Sequence, residues 1–123
     1  MTDTVTIRTV PQPSDLNVNG NIFGGWVLSQ MDIAGGIVAG ARARGPVATV
    51  AVEAMKFHRP IELGDVVSVY TDIARVGRTS ITVDIHVYAN RGVERKRYKV
   101  TEGRYIFVAV DTEGHPRAVD AEA

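Results

Sequence analysis

The chain has 123 residues, 45% of them hydrophobic, with fourteen basic side chains, fourteen acidic ones and no cysteine. That length suits one domain with a real core, and the balanced charge argues against a bulk electrostatic grip on nucleic acid or on an anionic membrane. Without cysteine there are no disulfides, thiolate metal sites, thiol nucleophiles or thiol redox steps, which fits a reducing cytoplasm. The N-terminal MTDTVTIRTV has no basic segment ahead of an apolar run, and the longest stretch of apolar and glycine residues, Ile33 to Ala41, is about half a membrane span. The expectation is a cytoplasmic protein with neither a membrane nor a nucleic acid as partner.

Val5 to Val10 alternates weakly and predicts a short first strand, ended by Pro11-Gln12-Pro13, whose prolines favour turn or extended backbone and block ladder pairing. A loop follows to about Gly20. From about Phe23 to Ala43 the spacing predicts a helix, although it holds five glycines, Gly24, Gly25, Gly35, Gly36 and Gly40. Each costs about 0.5–1 kcal/mol relative to alanine. Such a helix needs tertiary burial, and its glycines suggest the close approach of another backbone. Between Ile22 and Ala41 the only polar side chains are Ser29, Gln30 and Asp32. A helix apolar all round is a buried helix, and an ionised carboxylate in such an interior is costly unless it is hydrogen-bonded, paired or protonated. Asp32 is therefore the first candidate for chemistry.

After Gly45-Pro46 the texture changes to Val, Thr, Ile and Tyr. The clearest strand is Ser80 to Tyr88, where Ile81, Val83, Ile85 and Val87 alternate with polar residues. Strands are expected at about 47–57, 65–76, 79–89 and 97–110, broken at Pro60 with Gly64-Asp65, at Gly77, at Asn90-Arg91-Gly92 and at Glu113-Gly114. The short gaps imply antiparallel hairpins. The predicted class is α+β, a curved antiparallel sheet wrapped around one helix.

A helix starting near Gly24 and Gly25 offers unpaired N–H groups and the positive end of its dipole, a ready oxyanion site. Asp32 lies seven or eight residues further on, about 10–12 Å along the axis. One small reacting carbonyl can hardly touch both in the same chain. Either the two features serve different purposes, or a symmetric dimer brings the helix start of one subunit to Asp32 of the other; the second is favoured.

Upstream, Asn19 and Asn21 suit turns and helix caps, while a side-chain amide in this segment, which includes Asn17, could also orient a water or polarise a carbonyl. His58, His86 and His115 are isolated and have no metal-ligand spacing. Serine-elbow, phosphate-loop and dinucleotide fingerprints are absent. The run RGVERKRYK, Arg91 to Lys99, carries five basic residues against Glu94. Together with Gly77-Arg78-Thr79-Ser80 it is either solvated turn chemistry or a phosphate contact at the mouth of a pocket.

The chain resembles the hotdog-fold acyl-CoA thioesterases, in the short bacterial branch similar to YciA. The resemblance is carried by NVNGNIFGGWVLSQMD (Asn17 to Asp32), VAVEAMKFHRPIELGDVV (Val50 to Val67), VGRTS (Val76 to Ser80), RYKVTE (Arg97 to Glu102) and FVAVDTEGHPR (Phe107 to Arg117). It implies a five-stranded antiparallel sheet around a central helix, two subunits with joined sheets, and a hexamer built as a trimer of dimers. By the same resemblance Asp32 is the general base or nucleophile, Asn17 comes from the partner subunit, and the N–H groups of Gly24 and Gly25 bind the thioester oxygen. Gly77, Arg78, Thr79, Ser80 and Lys99 are implied contacts to pantetheine and phosphates. Trp26, Met31, Met55 and Phe57 either line the acyl tunnel or pack the core. Acyl-CoA is the implied substrate, with no metal or other cofactor. Asn21, where close members often carry aspartate, and the short basic hairpin at Asn90 to Lys96 depart from the pattern. A hotdog 3-hydroxyacyl thioester dehydratase and a non-catalytic acyl-CoA sensor are the alternatives.

Overall fold

A computed structural model of the chain describes residues 4–120. In chain order it contains β1 (Ile7–Thr9), a single 3-10 turn (Pro13–Asp15), α1 (Gly24–Ala43), β2 (Val47–Phe57), β3 (Val66–Val76), β4 (Ser80–Arg91) and β5 (Lys96–Ala109). The five strands form one antiparallel sheet in the order β1-β3-β4-β5-β2. This is the expected hotdog arrangement, with the helix held on one face of the sheet. No helix among the described residues is long and apolar enough to cross a membrane.

The β4–β5 hairpin is longer than the sequence pattern suggests. Asn90 and Arg91 still pair, with Arg97 and Lys96, because polar residues near a strand end can keep their backbone ladder while their side chains reach solvent. Gly92 and Arg95 then close the turn in left-handed conformations, at φ 75° and 56°.

Alternation along β4 sets the core. Ile81, Val83, Ile85, Val87 and Ala89 are fully buried on the helix side, against Met31 and Ala34 of α1 and Phe107 of β5. Gly35 is the point of closest approach: a Cβ there would lie 2.7 Å from Phe107 Cζ and 3.0 Å from Ile85 Cδ1. The sequence suggested a neighbouring backbone at such a position. The neighbour is an aromatic ring, which gives the helix a flat, rigid seat.

The helix ends at Arg44, which takes up φ 56° and turns its N–H back to Ala41 and Gly40. Arg117 donates to the carbonyls of Ala43 and Val110, both at 2.9 Å, placing a cation at the negative end of the helix dipole.

All-round burial of α1 is not reached within one chain. One sheet covers one side, and Ile33 and Ile37 remain 49% and 53% exposed. Beside them β2 is an edge strand with Val50, Val52 and Phe57 exposed. A long edge strand with exposed apolar side chains is a template for pairing with another chain.

Gly35→Ala gains about 1 kcal/mol of helix propensity but overpacks the seat at a cost of about 1–3 kcal/mol, so its thermal midpoint is expected to fall. Gly36→Ala meets only Phe107 Cε1 at 3.9 Å and should hold or raise it. Equal shifts in the two variants would show that the Gly35–Phe107 contact does not set the helix height.

Candidate active site

Asp32 lies on the flank of α1 that faces the free edge of the sheet. It is half-buried, at the rim of the helix rather than in the interior that the apolar pattern implied. There its Oδ1 accepts a 2.5 Å hydrogen bond from Thr49 Oγ1 of β2. A charge-assisted bond of this kind fixes the carboxylate without a cationic partner.

Tyr105 of β5 fixes the backbone beneath it. Its hydroxyl donates to the carbonyl of Leu28 at 2.8 Å, the carbonyl that also accepts the helical N–H of Asp32. The phenol is pushed up to about 12, first by burial and then by the charge of Asp32. It therefore stays a neutral donor at physiological pH and clamps the turn that carries the carboxylate.

Around these groups runs an open groove of about 560 Å³. Gly25, Leu28, Ser29 and Asp32 line it from α1, Thr49, Val52, Met55 and Phe57 from β2, and Tyr105 from β5. The four β2 residues share this face only because the strand carries two irregularities, between Thr49 and Ala51 and between Glu53 and Lys56. At the second, Ala54 takes up φ 54°, a left-handed conformation that costs a non-glycine residue about 1–2 kcal/mol. Each bulge shifts the alternation by one residue. An unbulged strand would have turned Glu53 toward the helix.

Met55 and Phe57 thus lie in the groove, whereas Met31 is fully buried and Trp26 is partly buried against the core. Gly103 on β5 makes room for the Met55 sulfur and for the Met31 methyl group, which lies 3.4 Å from where its Cβ would be.

Gly24 and Gly25 open the helix after Phe23, an N-cap with no side-chain hydrogen bond. Among the described residues their N–H groups meet no acceptor. Gly25 lines the groove, and a Cβ at Gly24 would sit 4.0 Å from the Phe57 ring. The helix start therefore occupies one end of the groove and Asp32 another position along it.

Asn17 holds the preceding loop. Its Oδ1 accepts from the N–H groups of Asn19 and Asn21, at 2.9 and 3.2 Å, and its backbone N–H bonds to Asn21 O at 2.7 Å. The turn-forming side chain is that of Asn17, not those of Asn19 and Asn21 as the sequence suggested. The Asn17 amide NH2 remains without an acceptor among the described residues, and Asn17 does not line the groove of its own chain.

The implied pantetheine and phosphate contacts are not brought together in one chain. Gly77, Arg78, Thr79 and Ser80 form the β3–β4 turn, closed by Gly77 N–H to Ser80 O at 2.8 Å and tied to Ala109 and Val119 through the carbonyls of Thr79 and Arg78. That turn sits at the end of the sheet where α1 finishes. Lys99 is at the opposite end, and its side chain lies on the face away from the helix. The cause is a bulge at Val100: Thr101 pairs with Val87 on the helix side, but Lys99 pairs with Tyr88 on the other. Lys99 Nζ is bound to Glu102 at 2.7 Å, and Glu102 also meets His58 Nε2 at 2.8 Å. Thr49 and Tyr105, which the sequence reading did not single out, are the polar groups that do meet the Asp32 segment. Their only sequence signal is a hydroxyl within otherwise apolar strand faces.

Lys99, then His58, hold the Glu102 carboxyl down at about 2 instead of 4.5. A carboxyl depressed in the folded state stabilises it above the ordinary carboxylate range, and the contribution is lost as pH falls through the folded value. Denaturant unfolding of the wild type and Glu102→Gln should therefore differ by a constant amount near neutrality. The difference should shrink below pH 4.5 and close near pH 2; a pH-independent difference would show that the ion pair contributes nothing.

A profile of the thioesterase superfamily matches residues 19–96. The acyl-CoA thioester hydrolase YciA of Escherichia coli K12 is 46% identical over 121 residues, spanning 96% of this chain and 92% of its own. Among solved structures, a hexameric broad specificity acyl-coenzyme A thioesterase superposes with a TM-score of 0.91 at 44% identity, covering 99% of this chain and 84% of that one. A hexameric thioesterase from Yersinia pestis gives 0.91 at 42% identity, with 99% and 100% coverage. With its single helix seated on a five-stranded antiparallel sheet, the chain belongs to the hotdog thioesterase superfamily, in the branch of the YciA-type acyl-CoA thioester hydrolases.

Proposed function

We propose that the protein hydrolyses acyl-CoA to a free carboxylic acid and CoA in a groove completed by a second copy of the chain. The observation that carries this reading is the Asp32 carboxylate, held by Thr49 beside an apolar groove whose outer wall is missing at the β2 edge.

In the proposed reaction Asp32 either takes a proton from the attacking water or adds to the carbonyl itself. Both routes form a C–O bond, break the C–S bond and place transient charge on the thioester oxygen. The N–H groups of Gly24 and Gly25 suit that oxygen, and such donors are worth about 3 kcal/mol each. When water attacks, the proton taken up by Asp32 passes to the leaving thiolate; when Asp32 itself attacks, the thiolate leaves first, and a water then opens the mixed anhydride, giving the carboxylic acid, restoring the Asp32 carboxylate and supplying the proton that the thiolate takes up. No metal or redox cofactor takes part.

Asp32 and the glycines of one chain lie about 10–12 Å apart along the helix, so the second copy supplies one of them. Two β2 edges pairing antiparallel about a twofold axis set the Thr49 half of one strand against the Phe57 half of the other. Asp32 of one copy then faces Gly24 and Gly25 of the other, and Ile33, Ile37 and Val50 are covered. The same rotation brings the Gly77–Ser80 turn of one copy toward the Phe57 end of its neighbour, within reach of a long pantetheine arm. Asn17 of the other copy, with its free amide, positions the water or the carbonyl. The hexameric relatives support a trimer of such dimers.

Hydrolysis fits better than dehydration because no histidine lines the groove: His58 is bound to Glu102, His86 lies on the far face of the sheet, and His115 contacts Asp111 and Glu113 in the C-terminal turn.

Release of free thiol from acyl-CoA esters of increasing chain length should fall by roughly 10²–10⁴-fold in Asp32→Asn, while the esters still bind. Turnover that survives the substitution would remove Asp32 from the mechanism, and tight binding without turnover by the wild type would favour the sensor. Val50→Lys places a charge on the free edge. It should give a folded monomer by sedimentation, inactive although Asp32 is intact; an active monomer would refute the shared site.

A further inference from the structure

We infer that the ring of Tyr98, with Arg59, Arg91 and Lys96 around it, holds the phosphorylated nucleotide end of the acyl-CoA. The inference rests on the reading of the groove as an acyl-CoA thioesterase site. Arg59 Cζ lies 4.7 Å from the ring centroid, Arg91 Cζ 4.9 Å and Lys96 Nζ 5.3 Å. Three cations on one ring are more than its quadrupole can balance, since each exposed cation–π contact is weak.

The three differ in what else they touch. Arg91 is a structural cation: it donates to both oxygens of the buried Asp65, at 2.8 and 2.7 Å, to Pro60 O at 3.1 Å, and meets Glu62 at 3.0 Å. Arg59 and Lys96 have no carboxylate among the described residues. Packing alone accounts for Arg91 and leaves two like charges crowded beside a third. A ligand with at least two negative charges relieves that crowding, and phosphates match both the planar arginine fork and the lysine point charge.

The cluster lies on the same side of the sheet as the groove. Tyr98 pairs with Ala89, whose side chain is fully buried toward the helix, and Lys96 pairs with Arg91 one step further along the same face. It also lies at the right end. Phe57, the last β2 residue lining the groove and the neighbour of Gly24, pairs with Thr101. Tyr98 is three residues before Thr101, about 10 Å along the strand, and Arg59 follows Phe57 by two residues. A thioester whose oxygen is held at the Gly24 and Gly25 amides can therefore send its pantetheine arm past Phe57 and set its phosphates on Arg59 and Lys96. In this arrangement Arg59 and Lys96 take the place that the sequence reading gave to Lys99, which the bulge at Val100 turns to the other face.

The test compares one acyl group carried on CoA and on pantetheine, which lacks the phosphates, for the wild type and for Arg59→Gln/Lys96→Gln. Arg91 is left intact because it holds the fold. The ratio of kcat/KM for acyl-CoA to that for acyl-pantetheine should fall by roughly tenfold or more in the double variant, mainly through KM. Adenosine 3′,5′-bisphosphate should inhibit the wild type and lose potency against the variant, with Arg59→Gln alone intermediate in calorimetric binding. Inorganic phosphate that competes as well as the bisphosphate would reduce the site to a general anion site and overturn the assignment. An unchanged ratio, or an equal loss on both substrates, would overturn it while leaving the thioesterase reading standing. A wild type that turns over neither thioester would overturn that reading and this inference with it.

Discussion

The seat of α1 on Phe107 fixes the rest of the site. Gly35 lets the helix axis descend until the Phe107 ring fills the space of its missing side chain, and Tyr105, two residues earlier on β5, stacks beside that ring at 6.2 Å between centroids. At this height the Tyr105 hydroxyl reaches the Leu28 carbonyl, and Asp32, one turn on, meets Thr49 of the edge strand. These contacts share one geometry. A helix lifted by a methyl group would stretch two hydrogen bonds that tolerate only a few tenths of an ångström, and the carboxylate would lose its orientation before the core lost its hydrophobic burial.

The position of the site at a sheet edge follows from a second constraint. A helix laid on one sheet buries one stripe, so the stripe carrying Ile33 and Ile37, and the edge carrying Val50 and Val52, stay open together. Exposed singly, such residues would mean little; contiguous along a helix and a free strand, they describe a surface that another chain covers. Bulges on an edge strand often discourage pairing. Those of β2 have another consequence, because they rotate Thr49, Val52, Met55 and Phe57 toward the helix and Glu53 away from it. The groove exists because the strand is irregular, and the left-handed Ala54 is the local cost of that irregularity.

Much of this was legible in the sequence because it depends on periodicity. The alternation of Ile81 to Val87, the apolar run of α1 and the Gly77 turn each read correctly, and the solitary Asp32 stands out against its surroundings. What could not be read depends on phase. The bulges at Val50, Ala54 and Val100 fall on valine and alanine, which mark nothing, yet each reverses which side chains face the helix. That is why Lys99 lies on the wrong face for the groove. The loop before α1 shows a similar ambiguity: three asparagines are chemically alike, and only the chain path decides that the Asn17 side chain accepts, from the backbone N–H groups of Asn19 and Asn21. The apolar pattern implies a deeper Asp32 than the fold gives it, because an apolar helix looks the same in sequence whether its last stripe is covered by its own chain or by another.

A chain of zero net charge can still have a local field, and here matched ion pairs and uncompensated cations lie at different places on the sheet. On the face away from the helix, Arg104 lies across from Asp84 on the next strand and bonds to both its oxygens, and Lys99 and His58 share Glu102. Those pairs are local and partly exposed, so they cancel within a Debye length and contribute modestly to stability. On the helix side at the mouth of the groove, the matched pair is Arg91 with Asp65, while Arg59 and Lys96 stay uncompensated around Tyr98. The neutral total therefore hides a positive spot next to an apolar slot with one carboxylate set back from it. That order of charge, from cation at the mouth to carboxylate within, suits a substrate with phosphates at one end and a neutral acyl group at the other. It also disfavours the charged carboxylate product, which Asp32 repels as it forms.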